Sequence, residues 1–386
     1  VHRLVFLRRL GTTCLLASSV LGGCGVDRAP EASSDAGADG GASVLGDGGG
    51  SCSLEPPPRP TGFASQPTRG SHDYAISQLF LGDTDRAENP SPDAWRSFGY
   101  DLDHKLTTLS STDVCTLTAG AGSQVQVDGD CGTDNSWGAN VMPLILQLDS
   151  TATMPVSGWD PVGWTEMMYV TGFDDSMGNT TSAVGLTGVL LGGALWPDGP
   201  PYPWGPSTVW PVAPDGVNGC TAAGGCPAGV DPVTSARARL PSAFQAEGTF
   251  VGGTDVDLTL TLAIGGQQLT ISVAGAVVTF DPGGPGSVTN GTLAGVISTQ
   301  QFIAELQQLA GDISTSLCAG SAFSSIATQI QQTSDIVYDG ATISNPPGQP
   351  CNAISIGLGF NATEIAAPSV IAPGTPQPPD RCTDGG

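Results

Sequence analysis

The sequence predicts a mainly β protein, an antiparallel β-sandwich with a two-helix insertion near residues 299–332. Three observations lead there. Short runs of β-forming residues recur along the chain, Gly-rich turns join several of them, and one interval switches from a two-residue to a 3.6-residue apolar period.

The strands come first. Tyr74–Phe80 alternates, and Ala183–Leu191 is rich in β-formers. Asp255–Ile264 is the clearest: Val256, Leu258, Leu260, Leu262 and Ile264 share one face, and Asp257, Thr259 and Thr261 the other. Gly265-Gly266 follows and Gln268–Val273 resumes, the spacing of a β-hairpin. Ala276–Phe280, Gly291–Ile297 and Ala353–Phe360 continue the series. Short antiparallel strands with Gly-rich turns suggest a sandwich.

The helical interval opens on Ser298-Thr299, whose hydroxyls suit an N-cap, and is expected to close at Gly311. Phe302, Ile303, Leu306 and Leu309 fall on one face. A second helix is expected over Ala322–Gln332, with Phe323, Ile326, Ala327 and Ile330 inward. Both stripes read as packing against the sheet rather than as a partner groove.

Composition limits the function. The 386 residues include 55 Gly and 31 Pro, just under the share at which a chain without a fold is the default. Apolar residues make up 39 % and charged ones 12 %, so a packed core is within reach. A net charge of −24 excludes a nucleic-acid binder of the usual basic kind. Three His argue against a multi-histidine centre.

The ends carry address signals. Residues 1–23 hold Arg3, Arg8 and Arg9, no acid, and a short apolar stretch over Leu10–Leu21, the pattern of a secretory signal. Val1 in the initiator position fits an alternative bacterial start codon. Leu21-Gly22-Gly23-Cys24 looks like a lipobox: the Cys24 thiol would take a diacylglycerol, and small residues precede the cut. Acyl chains there would anchor the chain to a membrane, stably with two or more. Gly25, not Asp, follows the cysteine, which favours the outer membrane over the inner. Residues 24–68 read as a Gly/Ala/Ser/Asp/Pro tether too polar to order itself, stiffened by Pro56, Pro57, Pro58 and Pro60. Residues 69–372 form the expected domain and residues 373–386 a coil tail.

Within that domain, residues 196–235 interleave Trp196, Tyr202, Trp204 and Trp210 with Pro and Gly. Exposed rings could stack on sugars, which makes a glycan or other cell-surface partner one reading. The plainer reading is that they fold back over a sheet edge.

Ten Cys are present. With Cys14 in the leader and Cys24 lipidated, eight remain, an even number that suits disulfides in an exported chain. Order along the chain suggests Cys115–Cys131, Cys220–Cys226, Cys318–Cys351 and Cys52–Cys382. The spacings lack the close pairs that zinc takes.

Chemistry concentrates in one acidic stretch. Ten Asp or Glu fall between Asp83 and Asp134, several as pairs two apart. Residues i and i+2 of a strand share a face, so Asp101 and Asp103 would point together. Crowded carboxylates repel unless a cation or a proton intervenes. Asp101, Asp103, Asp128, Asp130 and Asp134 are therefore candidate ligands for Ca²⁺. The loop is no EF-hand: position 12 counted from Asp101 or Asp128 is Thr112 or Ala139. A solvated acidic surface is the competing reading. Glu166, Asp174 and Asp175, beside Trp159, Trp164 and Tyr169, are candidate acids for an extracellular glycan-directed hydrolase. A serine triad would have to use His72 or His104, and no Gly-x-Ser-x-Gly elbow is present. No catalytic constellation stands out, so the expected role is a surface binding or structural one.

The runs Leu81-Gly-Asp-Thr-Asp-Arg86, Ala94-Trp95, Phe98-Gly-Tyr-Asp-Leu-Asp103, Asp113-Val-Cys115 and Asp134-Asn-Ser-Trp-Gly138 resemble a family of uncharacterised secreted lipoproteins from myxobacteria. So do Thr289–Ile297, the two helices, and Cys351–Phe360. The resemblance covers most of residues 74–362. It implies an exported, envelope-anchored location and no particular chemistry.

Overall fold

The computed structural model describes residues 52–62, 70–117, 125–148, 165–198, 202–264, 267–313 and 321–374. The leader, Cys24, Cys318, Cys382, Trp159 and Trp164 lie outside them.

The strands form a closed antiparallel barrel, which corrects the expected sandwich. Its eight members are β1 (Ser71–Phe80), β2 (Glu166–Thr171), β3 (Ala183–Gly192), β4 (Ala238–Ala246), β5 (Thr249–Ile264), β6 (Gln267–Gly284), β7 (Ser287–Ser298) and β10 (Ala353–Glu364). A separate ribbon, β8 (Val337–Tyr338) with β9 (Ile343–Ser344), lies between β7 and β10 in sequence. Each barrel strand pairs with its chain neighbours, and β10 returns to pair with β1, Tyr74 opposite Glu364. That seam joins the two ends of the domain. Local periodicity and hairpin turns are the same in a sandwich and in an up-and-down barrel, and only the seam separates them.

The expected 255–264 and 268–273 hairpin is present, Ile264 opposite Gln267. Ala276–Phe280 is not a separate strand. It continues β6 past a register shift opposite Gly253 and Val256. At that shift Gly253 takes φ +95°, and a Cβ there would sit 2.3 Å from the Ala276 carbonyl oxygen.

An eight-stranded barrel has room inside for side chains only. Here the filling is apolar, mostly aliphatic, with a cluster of packed aromatic rings. Phe250 and Phe280 stack at 4.5 Å, and Phe173 meets them edge-on at 5.9 and 5.1 Å. Burying each such ring contributes roughly 1.5–3 kcal/mol. Outward-facing Asp257 and Thr259 are exposed.

Among the described residues three α-helices follow the same core. α1 (Met142–Leu148), which the sequence reading did not anticipate, extends a π turn over Trp137–Val141. α2 (Thr299–Ile313) and α3 (Ser321–Gln332) are the expected pair, although α2 runs through Gly311 instead of stopping there. Phe302, Leu306 and Ile330 join the barrel core, and Phe302 meets Trp137 edge-on at 5.4 Å. These elements close the barrel end where β7 stops and β10 starts. No helix among the described residues is long and apolar enough to cross a membrane.

The outer face is clad by connecting segments. Trp196 and residues 202–235 fold back over Ala75, Met167, Val189 and Leu191, the plainer of the two expectations. Trp210 is fully buried there, its indole N–H donating to the Ala194 carbonyl at 2.9 Å, with Trp204 stacked on it at 5.1 Å. Residues 52–62, assigned to the tether above, also dock on this body. Leu54 packs beside Tyr100 and Phe244, and the Arg59 guanidinium lies over the Phe244 ring at 5.4 Å.

The disulfides correct the expected pairing. Cys220–Cys226 forms as expected, but Cys52 joins Cys131 and Cys115 joins Cys351. Chain order misled because residues 94–117 and 125–136 lie outside β10, which brings them against distant parts of the chain. Three disulfides fit an oxidising, exported setting.

Candidate metal centre

β10 explains where the acidic segment lies. Ile354, Ile356, Leu358 and Phe360 point into the barrel core. The residues between them, Ser355, Gly357 and Gly359, are small. A Cβ on Gly357 would sit 2.2 Å from the Phe98 carbonyl oxygen. The Phe98–Gly99 stretch therefore lies directly on strand backbone. Asn135 locks it there: its amide nitrogen donates to the carbonyls of Trp95, Phe98 and Gly357 at 3.0–3.1 Å. Its oxygen accepts from Gly138 and Gly357 N–H, both at 3.0 Å.

On this platform Tyr100–His104 runs through consecutive bends, His104 taking φ +59°. The Tyr100 hydroxyl shares a 2.6 Å hydrogen bond with Thr279, and Leu102 packs beside Val296 and Ile336. Asp101, Asp103 and Asp134 meet next to it, at 5 %, 9 % and 2 % exposure, with one carboxylate oxygen of each within 4.8 Å of the others. Such a triad can hold a metal ion. The sharing of a face by residues 101 and 103 holds, although no strand carries them.

Donors fix each carboxylate. Asp134 Oδ2 accepts from the N–H of Leu102 at 2.6 Å and of Asp103 at 3.3 Å. Asp101 Oδ2 accepts from the Ser53 hydroxyl at 2.8 Å, a contact delivered by the adjacent Cys52–Cys131 bridge. The Lys105 N–H reaches Asp101 Oδ1 at 3.1 Å and Asp103 Oδ1 at 2.8 Å. Asp103 Oδ2 is buried without a well-aligned hydrogen bond among the described residues, while the Asn345 side chain partly offsets the burial of this carboxyl. Buried carboxylate oxygens without a partner are costly.

Two further acids surround the triad. Asp128 accepts from the Thr107 N–H. Asp335, which the sequence reading missed, lies between α3 and β8 and accepts from the Ser355 N–H at 2.8 Å and from the Ser355 hydroxyl. Burial, followed by the charges of Asp103 and its neighbours, lifts the Asp128 carboxyl to about 8. Burial likewise lifts Asp335 to about 7 and Asp134 well above the ordinary range. Asp101 and Asp103 are also raised, again chiefly by burial. The nearest lysine does not neutralise the group. Lys105 Nζ donates instead to the carbonyls of Asp113 at 2.5 Å and Asn345 at 2.7 Å. At neutral pH the five acids need either protons or a cation among them.

The other predicted residues scatter. Asp130 is exposed in the short turn over 130–132 and stands outside the triad. Asp85 holds its own turn, accepting from the N–H groups of Ala87 and Asn89. Glu166 opens β2, whereas Asp174 and Asp175 follow its far end, beyond a strand that rises roughly 16 Å from Glu166 to Thr171. Asp174 is engaged in a turn with Ser176 and Thr181. Neither histidine has a serine hydroxyl bonded to it. His104 faces Glu55 at 3.4 Å, and His72 faces Asp175 and Glu364.

No family model, curated protein or solved structure matches this chain.

Proposed function

We propose that this chain is an exported lipoprotein, anchored in the cell envelope through a lipid on Cys24, that presents a calcium-stabilised barrel in a surface binding or structural role. The leader pattern and lipobox support the address, the outer membrane being favoured, and three disulfides support an oxidising compartment. The observation that carries the calcium reading is the buried Asp101–Asp103–Asp134 triad with an Asp103 oxygen that lacks a well-aligned hydrogen bond. All its donors are carboxylate oxygens, which suits a hard cation. Ca²⁺ bound at about 2.4 Å sets opposite ligands up to about 4.8 Å apart, whereas Mg²⁺ demands a tighter shell. Asp128 supplies a further acid beside it. A cation there would tie the 100–107 and 128–134 segments together on β10, a structural rather than a catalytic task.

Titration calorimetry with Ca²⁺ and Mg²⁺ tests the centre. The reading expects one Ca²⁺ per chain with a clear preference over Mg²⁺. Absence of heat and of any thermal shift at millimolar Ca²⁺ overturns it. Mass spectrometry of the mature N-terminus tests the anchor: an acylated Cys24 is expected, and an unmodified terminus contradicts it. A glycan array run beside a hydrolysis panel separates a binding surface from a glycan hydrolase, since only the hydrolase turns substrate over.

A further inference from the structure

The Cys52–Cys131 crosslink sits directly against the acidic triad. Leu54 bridges the two segments that carry Asp101 and Asp134: its N–H donates to the Cys131 carbonyl at 3.0 Å, and its carbonyl accepts from the Asp101 N–H at 2.8 Å. Between Cys52 and Leu54, the Ser53 hydroxyl donates to Asp101 Oδ2 at 2.8 Å. On the other side of the crosslink Gly132 crowds the same oxygen, and a Cβ there would sit 3.1 Å from it. Cys131 takes φ +53° and Gly132 φ +78°. A side chain is uncommon in that left-handed region and stays there only where its surroundings hold it. The turn so shaped leads into Asp134: the Thr133 N–H donates to the Asp130 carbonyl at 3.1 Å, and the Gly129 N–H to the Thr133 carbonyl at 2.8 Å. One crosslink therefore bears on two of the three triad carboxylates. It is also the most accessible of the three among the described residues. Cys52 is exposed, whereas Cys115 and Cys351 are 7 % and 4 % exposed and Cys220 is 2 % exposed.

We propose that the Cys52–Cys131 crosslink is a redox clasp that sets the Ca²⁺ affinity of the Asp101–Asp103–Asp134 centre, tight when closed and weak when open. The proposal rests on the calcium reading and adds its regulation. The reductant is a dithiol. One of its thiolates attacks the sulfur of the exposed Cys52, the Cys52–Cys131 bond breaks, and Cys131 leaves as a thiolate that takes up a proton. The second thiol of the reductant then displaces Cys52, so the crosslink becomes two thiols and the dithiol becomes a disulfide. Opening acts on the centre twice. Ser53 is no longer tied beside the Asp101 carboxylate, and Cys131 is free to leave its left-handed conformation and loosen the turn before Asp134. Asp103 keeps its hydrogen bond from the Lys105 N–H at 2.8 Å, which is independent of the crosslink. The clasp therefore tunes affinity rather than creating the site. Linkage makes the effect mutual: bound Ca²⁺ opposes reduction by the same factor by which reduction weakens Ca²⁺.

Calorimetry with Ca²⁺ on the full chain tests the clasp. Cys52→Ser/Cys131→Ser should raise the Ca²⁺ dissociation constant at least about 10-fold, the scale on which contacts that orient metal ligands act. Cys220→Ser/Cys226→Ser removes a crosslink of the 202–235 cladding and should leave the constant unchanged. Ser53→Ala keeps the clasp closed and should raise the constant by a smaller factor. It carries the test should the first variant fail to fold. In a dithiol buffer, alkylation read by mass spectrometry should find Cys52 and Cys131 opening first, and saturating Ca²⁺ should shift that equilibrium back by the factor calorimetry gives. The proposal is overturned by an unchanged constant in folded Cys52→Ser/Cys131→Ser, or in Ser53→Ala where that variant does not fold. An equal loss in Cys220→Ser/Cys226→Ser, or reduction of Cys52–Cys131 that ignores Ca²⁺, overturns it as well. Absence of Ca²⁺ binding by wild type is a separate result, which overturns the calcium reading and the proposal with it.

Discussion

The two faces of β10 hold the molecule by different means. Inward, Ile354, Ile356, Leu358 and Phe360 are buried in the barrel core, which is stabilised by undirected apolar area. Outward, Ser355, Gly357 and Gly359 carry a lobe whose buried apolar side chains, Phe98 and Tyr100 among them, form only small separate clusters. Asn135, Asp335, two long-range disulfides and a group of carboxylates hold that lobe as well. An apolar core tolerates changes of pH and metal. A lobe built from directional bonds and crowded acids should respond to both, so each experiment below sets one face against the other.

The largest effect belongs to the crosslink. Cys115 and Cys351 are 236 residues apart, and replacing both with Ser should cost about 5 kcal/mol on chain-entropy grounds. Chemical denaturation should show a larger loss when wild type is reduced, because Cys52–Cys131 and Cys220–Cys226 open as well. Next comes the interior. Phe280→Ala should cost about 4 kcal/mol, and the loss should be identical with and without Ca²⁺. Asn135→Ala removes the clamp between the lobe and β10. It should cost about 3 kcal/mol, with hydrogen exchange rising in residues 94–136 before the barrel strands open.

The last comparison is in pH. Asp335 and Asp128 rise from the ordinary 3.8 to about 7 and about 8 in the folded chain. The unfolded chain therefore releases these protons first, and metal-free stability should fall as pH rises from about 4 to about 8. Saturating Ca²⁺ should flatten that decline by replacing the protons. A metal-free protein that gains stability over this window contradicts the account.

The inner face was legible because its physics is local. The alternation in Asp255–Ile264, the hairpin that follows it and the apolar stripes of α2 and α3 all follow from period and caps. Barrel closure was not legible, since Tyr74 and Glu364 meet only through the complete topology. α1 escaped because it is seven residues long and begins Met142-Pro143. The outer lobe was legible in part. The i, i+2 spacing of Asp101 and Asp103 and the nearby Asp134 pointed to the triad, and Asp130 was included only by proximity in sequence. Asp335 carried no local mark, and neither did the grouping of His72 with Asp175 and Glu364. Their partners arrive from distant strands, as the partners of Cys52 and Cys115 do.

Thermal melts of wild type and of Asp103→Asn/Asp134→Asn, each with chelator and with millimolar Ca²⁺, bear most directly on the central claim. Wild type should melt several degrees higher with Ca²⁺, and the double variant should show no calcium-dependent shift while keeping its barrel spectrum. Equal shifts in both proteins, or none in wild type, would contradict a calcium centre at this triad.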